Sequence, residues 1–187
     1  MNKGDKRPFT FAPLDIPDVI LAEPKVFPDD RGFFFESFKT SDFEKANLPT
    51  HFVQDNFSFS KKDVIRGLHY QKHPKAQGKL VFVLKGDVWD VAVDIRRESP
   101  TFLKWVAVEL NDQNHAMLYI PPGFAHGFIS LTEDVHPLYK CTNEYDPQAD
   151  AGVRWNDPDI AIPWPVGNPI VSAKDAFLPF LQQTELF

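Results

Sequence analysis

The chain has 187 residues, 43% of them hydrophobic, enough for one domain with a sizeable core, and residues 1–187 are expected to form a single one. With 26 acidic and 20 basic residues the net charge is −6, and no Lys/Arg block is long enough for a nucleic-acid groove or an anionic membrane surface. Cys141 is the only cysteine, which excludes an intrachain disulfide framework and a thiolate metal cluster; with no apolar run in MNKGDKRPFTF and no stretch of about 18 apolar residues anywhere, the expected compartment is the cytoplasm.

The 17 prolines break up helices and the 18 phenylalanines suit half-buried pleated surfaces, so the body is expected to be all-β. In chain order, strands are predicted at 18–26 and 32–38, followed by a short helix that a capping-box pattern, Ser41-Asp42-Phe43-Glu44, opens and that ends near Asn47. Strands at 52–60 and 64–71 come next. Residues 79–85 and 87–95 flank Gly86 and read as a hairpin. In the second of these runs Trp89, Val91, Val93 and Ile95 share one face, while Val88, Asp90, Ala92 and Asp94 share the other. Further strands are predicted at 103–110, 116–120, 126–132 and 136–142. The Pro-rich stretch 157–169 reads as an ordered wrap, and Ser172-Ala173-Lys174-Asp175 opens a second short helix towards Leu178. Short strands separated by turn signals imply a jelly-roll barrel with short peripheral helices.

Two segments concentrate polar side chains: Arg66-Gly67-Leu68-His69-Tyr70-Gln71, and Pro121-Pro122-Gly123 leading to His126. G-L-H-x-Q followed about fifty residues later by P-x-G-x-x-H resembles the two motifs of the cupin superfamily. The metal ligands of that superfamily line the barrel because residues i and i+2 of a strand face the same way. Here Gln71 and Lys79 stand where a ligand His and a carboxylate are wanted, which leaves His69 and His126 and makes a poor divalent-metal site. No metal and no cofactor are expected. A neutral His69 can instead remove a proton beside a ketone while Lys79 or Arg66 stabilises the enolate, and Tyr139 is a suitable acid. Strict alternation would turn Arg66 and His69 to opposite faces, so Gly67 is expected at a bulge.

A wider set of segments then comes into register. They are Asp30 to Phe38 (DRGFFFESF), Gln54 to Ser58 (QDNFS), Arg66 to Gln71, Gln77 to Val81, Asp90 to Asp94, Pro122 to Phe128, Leu138 to Thr142, Trp155 to Pro158 and Ser172 to Asp175. Together, over residues 16 to 182, they resemble the dTDP-4-dehydrorhamnose 3,5-epimerases. The resemblance implies a cupin-type barrel, a His69/Asp175 dyad, Tyr139 as proton donor and Lys79 on the enolate oxygen. It further implies that Arg66 and His126 hold the diphosphate-linked sugar and that Lys174 lies at the substrate. Arg31, Glu36, Gln54 and Asn56 would bind the nucleotide, partly across a homodimer interface, and Asp150 occupies the position of a longer substrate-binding Glu.

The implied reaction converts dTDP-4-dehydro-6-deoxy-D-glucose to dTDP-4-dehydro-L-rhamnose at C3 and C5. An epimerase acting at one of those carbons, a metal-binding cupin and a non-catalytic sugar-nucleotide binder are the competing functions. Taken alone, Asp175 fits the N3 position of a capped helix, and Arg31 fits a turn residue paired with Asp29 or Asp30. His51, His73, His115 and His136 have no ligand spacing and read as surface or structural.

Overall fold

The computed structural model describes residues 8–187; the first seven, where no apolar run was found, lie outside the described residues. The strands begin with β1 Phe9–Pro13, β2 Ile20–Pro24, β3 Phe27–Asp29, β4 Gly32–Phe34, β5 Gln54–Phe57, β6 Val64–Gln71 and β7 Lys79–Lys85. They continue with β8 Asp87–Asp94, β9 Trp105–Asn111, β10 Met117–Ile120, β11 Phe124–Ser130, β12 His136–Cys141, β13 Asp150–Gly152 and β14 Ile170–Val171. Two short helices, α1 Thr40–Lys45 and α2 Ala173–Ala176, lie at the periphery.

Strands β1, β2, β10, β7, β12 and β5 pair in that order into one antiparallel sheet, and β13, β6, β11, β8 and β9 into the other, with β14 added in parallel to β6. The chain passes repeatedly between the two layers, giving an antiparallel jelly roll. Val81, Val88, Ala92, Leu118 and Phe128 fill its interior. The wrap through Val153, Ile160, Ile162 and Trp164 covers the outer face of the second sheet, on Val91, Val93 and Ile95. On the outer face of the first, Phe9, Phe43 and Leu48 pack against Leu80 and Met117. Both faces of β8 are therefore buried, as its alternation implies; each large apolar side chain taken fully from water contributes about 1.5–3 kcal/mol.

The expected hairpin at Gly86 does not form. Strand β7 pairs with β10 and β12, whereas β8 pairs with β11 and β9. Gly86, at φ 79°, carries the chain from one sheet to the other at a crowded corner where a Cβ would lie 2.8 Å from Thr132 Oγ1. Two runs that are both buried on two faces each need neighbours on both sides, and a single glycine does not supply a two-residue hairpin turn.

Ser41 is not a cap either. Lys39 occupies the N-cap position without a side-chain hydrogen bond, and α1 is held by its buried Phe43. The strand predicted at 32–38 stops at Phe34 because Phe35 and Phe38 turn to pack on the third cluster. The predicted 126–132 strand starts earlier, at Phe124. Strands β1, β3, β13 and β14 were not predicted; each has five residues or fewer.

Candidate active site

Strand alternation brings the polar residues to one space between the sheets. In the first sheet Asn56 is opposite Tyr139, Gln54 opposite Cys141, and Cys141 opposite Lys79, so these residues share the inner face. In the second sheet His69 is opposite His126. Between these rows lie two joined hollows of about 300 and 240 Å³, both lined by His69, Lys79, Tyr139 and Lys174. Gln54, Asn56 and Asp150 line the first, and Arg66, His126 and Asp175 the second.

Arg66 and His69 reach the same hollow because β6 bulges. His69 pairs with His126 and Arg66 with Phe128, so Gly67 and Leu68 together oppose Gly127. Gly67 sits at φ 130°, and a Cβ there would lie 2.6 Å from the Gly127 Cα, so only glycine fits. Arg66 is then fixed by donating from Nε to Ser60 Oγ (3.0 Å) and from an outer nitrogen to the Phe59 carbonyl (2.9 Å).

His69 Nε2 lies 2.8 Å from Asp175 Oδ1. Asp175 Oδ2 accepts from the Gly67 N–H at 3.3 Å, and Ser172 Oγ accepts from the Asp175 N–H at 3.1 Å. Asp175 thus combines two contacts: its backbone N–H is capped by Ser172, while its carboxylate turns to the histidine. Burial raises the Asp175 carboxyl, but the hydrogen bond and charge of His69 and the Gly67 N–H outweigh it and hold it below the ordinary value. An ionised Asp175 fixes the tautomer with Nε2–H donating, which leaves the Nδ1 lone pair of His69 free.

Lys79 is 8% exposed and donates to the His69 carbonyl at 3.4 Å. Burial pushes its ammonium below the ordinary lysine value against the pull of Cys141, Asp90 and Asp150. Its Nζ lies 6.0 Å from the centre of the Tyr139 ring. Burial also raises the Tyr139 phenol, so it is protonated at neutral pH. His126 Nε2 is 3.0 Å from both oxygens of the fully buried Asp90. Burial lowers His126, with Lys79 and His69 acting in the same sense and Asp90 opposing, so its imidazole is neutral.

Gln71, read as the replacement for a metal ligand, has another job. Its amide donates to the Lys75 and Glu144 carbonyls and accepts from the Asp146 N–H, tying the loops beside the hollow to β6. Among the described residues no three His, Cys, Asp or Glu side chains converge as a metal-ligand set. Asp150 pairs with Lys174 at 2.5 Å and accepts from the Tyr145 hydroxyl at 3.2 Å. Two predicted residues are not brought in by this chain. Arg31, with 90% of its side chain exposed, pairs with Asp29 at 2.7 Å, and Glu36 pairs with Lys39 at 3.4 Å. His115 stacks on Phe35 and lies tilted against Phe33 as a structural residue.

Sequence reasoning did not single out Asp90 as the partner of His126, nor Tyr145 at the hollow. Asp90 had a signal: an acid on the inward face of an otherwise apolar alternation, which needs a buried partner. Tyr145 lies in a loop with no periodicity to orient it.

A jelly roll in which a histidine–carboxylate pair, a lysine and a tyrosine converge on one interior hollow is a cupin-type protein. The chain belongs to the dTDP-4-dehydrorhamnose 3,5-epimerase family, whose model matches residues 13–183. It is 54% identical over 173 residues to the dTDP-4-dehydrorhamnose 3,5-epimerase of Salmonella typhimurium, covering 91% of this chain and 94% of that one. The crystal structure of the dTDP-4-dehydrorhamnose 3,5-epimerase from Sulfolobus tokodaii superposes with a TM-score of 0.90 at 51% identity, over 97% of this chain and 99% of that one. A dTDP-6-deoxy-D-glucose-3,5-epimerase from Legionella pneumophila, in complex with dTDP-4-keto-L-rhamnose, gives a TM-score of 0.90 at 45% identity over 95% of each chain.

Proposed function

We propose that this chain is an isomerase that epimerises dTDP-4-dehydro-6-deoxy-D-glucose at C3 and C5, giving dTDP-4-dehydro-L-rhamnose. The observation that carries the reading is the convergence of the His69–Asp175 pair, Lys79 and Tyr139 on one hollow, in a chain of this family. The Legionella relative, in complex with dTDP-4-keto-L-rhamnose, supports the choice of sugar nucleotide.

Both hydrogens to be removed lie beside the C4 ketone, so the carbanion delocalises onto its oxygen and no electron acceptor is required. His69 takes the proton at Nδ1, and Asp175 stabilises the imidazolium through Nε2–H. Lys79 neutralises the enolate oxygen as its charge develops, inside a site where that charge is poorly solvated. Inversion then needs a proton from the other side of the ring. His69 projects from the second sheet, and Lys79 and Tyr139 from the first, so base and acid approach from opposing walls.

In this reading Arg66 and His126 hold the diphosphate-linked sugar and Lys174 lies at the substrate, with Gln54 and Asn56 towards the nucleotide. Arg31 and Glu36 serve the hollow of a second copy in a homodimer. The whole chain acts as one catalytic domain in the cytoplasm, without partners among membranes or nucleic acids.

The test is incubation with the 4-keto sugar nucleotide in deuterated water. Solvent deuterium is expected at both C3 and C5; its absence from both, with folded protein, would refute the reading, and deuterium at one carbon would mark a single-site epimerase. His69→Ala is expected to abolish all exchange. Tyr139→Phe should retain proton removal while inversion falls at least ~100-fold, the usual scale for a lost general acid.

A further inference from the structure

Lys174 and Asp150 form an ion pair in the lining of the first hollow. Asp150 is on β13, opposite Gln71 and two residues from Gly152, which is opposite His69, so its side chain shares the face of the base. Lys174 is on α2, immediately before Asp175. It lines both hollows, and its ammonium is 2.5 Å from Asp150 Oδ2. In the proposed function this ammonium lies at an anionic ligand, and in the empty site it is already paired with a carboxylate.

The two partners differ in how easily they separate. The Lys174 side chain is more than half exposed, so it can swing at small cost, while that of Asp150 is largely buried. Asp150 is not stranded when the lysine leaves, because the Tyr145 hydroxyl donates to the same oxygen. The Asp150 hydrogen bond also raises the Lys174 ammonium, which therefore stays charged at neutral pH.

We propose that Asp150 is an internal competitor for the ligand's diphosphate: it holds Lys174 in the empty site and releases it when the anion binds. Asp150 is then a positioning residue that sets affinity through Lys174. This rests on the sugar-nucleotide reading above and gives a distinct role to the shortened carboxylate.

The test is calorimetric titration of the full-length protein with dTDP, which needs no turnover. Asp150→Asn keeps the shape and the acceptor for Tyr145 but removes the competing charge. It is expected to tighten dTDP binding by roughly two- to fivefold, the scale of a partly exposed ion pair. Asp150→Ser, equally uncharged, should shift binding in the same direction. Lys174→Met should weaken binding, and adding Asp150→Asn to it should then change nothing. Weaker or unchanged binding in both uncharged variants would overturn the proposal. So would an equal gain with Lys174 already removed, since that would be a general effect of charge. Wild-type protein that fails to bind dTDP would sink the sugar-nucleotide reading together with this one, whereas binding without the Lys174-dependent gain would sink this one alone.

Discussion

Lys79 is a charged group in a place where charge is costly. It keeps one long hydrogen bond, to the His69 carbonyl, and burial depresses its proton affinity. Replacing it with methionine is expected to raise the unfolding free energy by roughly 1–3 kcal/mol and Tm by roughly 3–10 °C. The same change should lower deuterium exchange at least ~100-fold, because the enolate loses its cation. The pH dependence follows from the direction of the shift. In the folded protein Lys79 releases its proton below the ordinary 10.5, so between those limits the unfolded chain binds more protons and stability gains with rising pH. Thermal melts across that window should show a Lys79-dependent gain that is missing in Lys79→Met; an identical slope, or a less stable variant, would contradict this account. At this scale much of the site was legible, because His69, Lys79, Tyr139 and Asp175 sit in segments whose residue types and spacing are distinctive. Asp90 and Tyr145 were not, since a pairing across strands depends on register, which one sequence does not display.

Strand β6 holds two groups on one side of a sheet, against strict alternation, and the bulge at Gly67 makes that possible. A methyl group there meets backbone atoms of Gly127 and His126 at 2.6 and 2.9 Å, at a φ that side chains avoid. Gly67→Ala is therefore expected to cost about 2–4 kcal/mol in denaturant titrations. Its surviving folded fraction should lose kcat, since Arg66, His69 and the Gly67 N–H that binds Asp175 move together. A variant of unchanged stability and activity would show that the bulge is incidental. The bulge could be anticipated because two needed side chains three residues apart conflict with a period of two. The sheet partners could not. Strands β7 and β8 read as a hairpin from adjacency alone, whereas burial on both faces of each assigned them to different sheets. The cap at Ser41 failed for a related reason: α1 is held by packing of Phe43, and its start follows that packing and not the best local hydrogen-bonding residue. Ser172 succeeded because its cap is local and tertiary packing does not compete with it.

Taken as a whole, one chain leaves its proposed nucleotide end unfinished. Arg31 and Glu36 lie outside the hollow, and Arg31 is on the turn of the β3–β4 hairpin, whose Phe33 and Phe34 are exposed. An exposed aromatic pair beside an unused arginine is the kind of surface that a symmetric partner covers, since each copy can offer its hairpin to the other. If the hairpin works in trans, defects in base and arm should complement. A chain carrying Arg31→Ala with Glu36→Ala, and a chain carrying His69→Ala, would each be nearly inactive alone. Unfolded together and refolded as a mixture, half of the dimers are hybrids, each with one site combining an intact His69 and an intact partner arm. Activity should then return to about a quarter of wild type, the statistical value for two-fold pairing. Were the arms to work within their own chain, every hybrid site would lack either the base or the arm, and the mixture would be no more active than the sum of its parents. Size-exclusion chromatography with light scattering on the same samples separates this outcome from a failure to pair, because a monomer would return no activity whichever way the arms point.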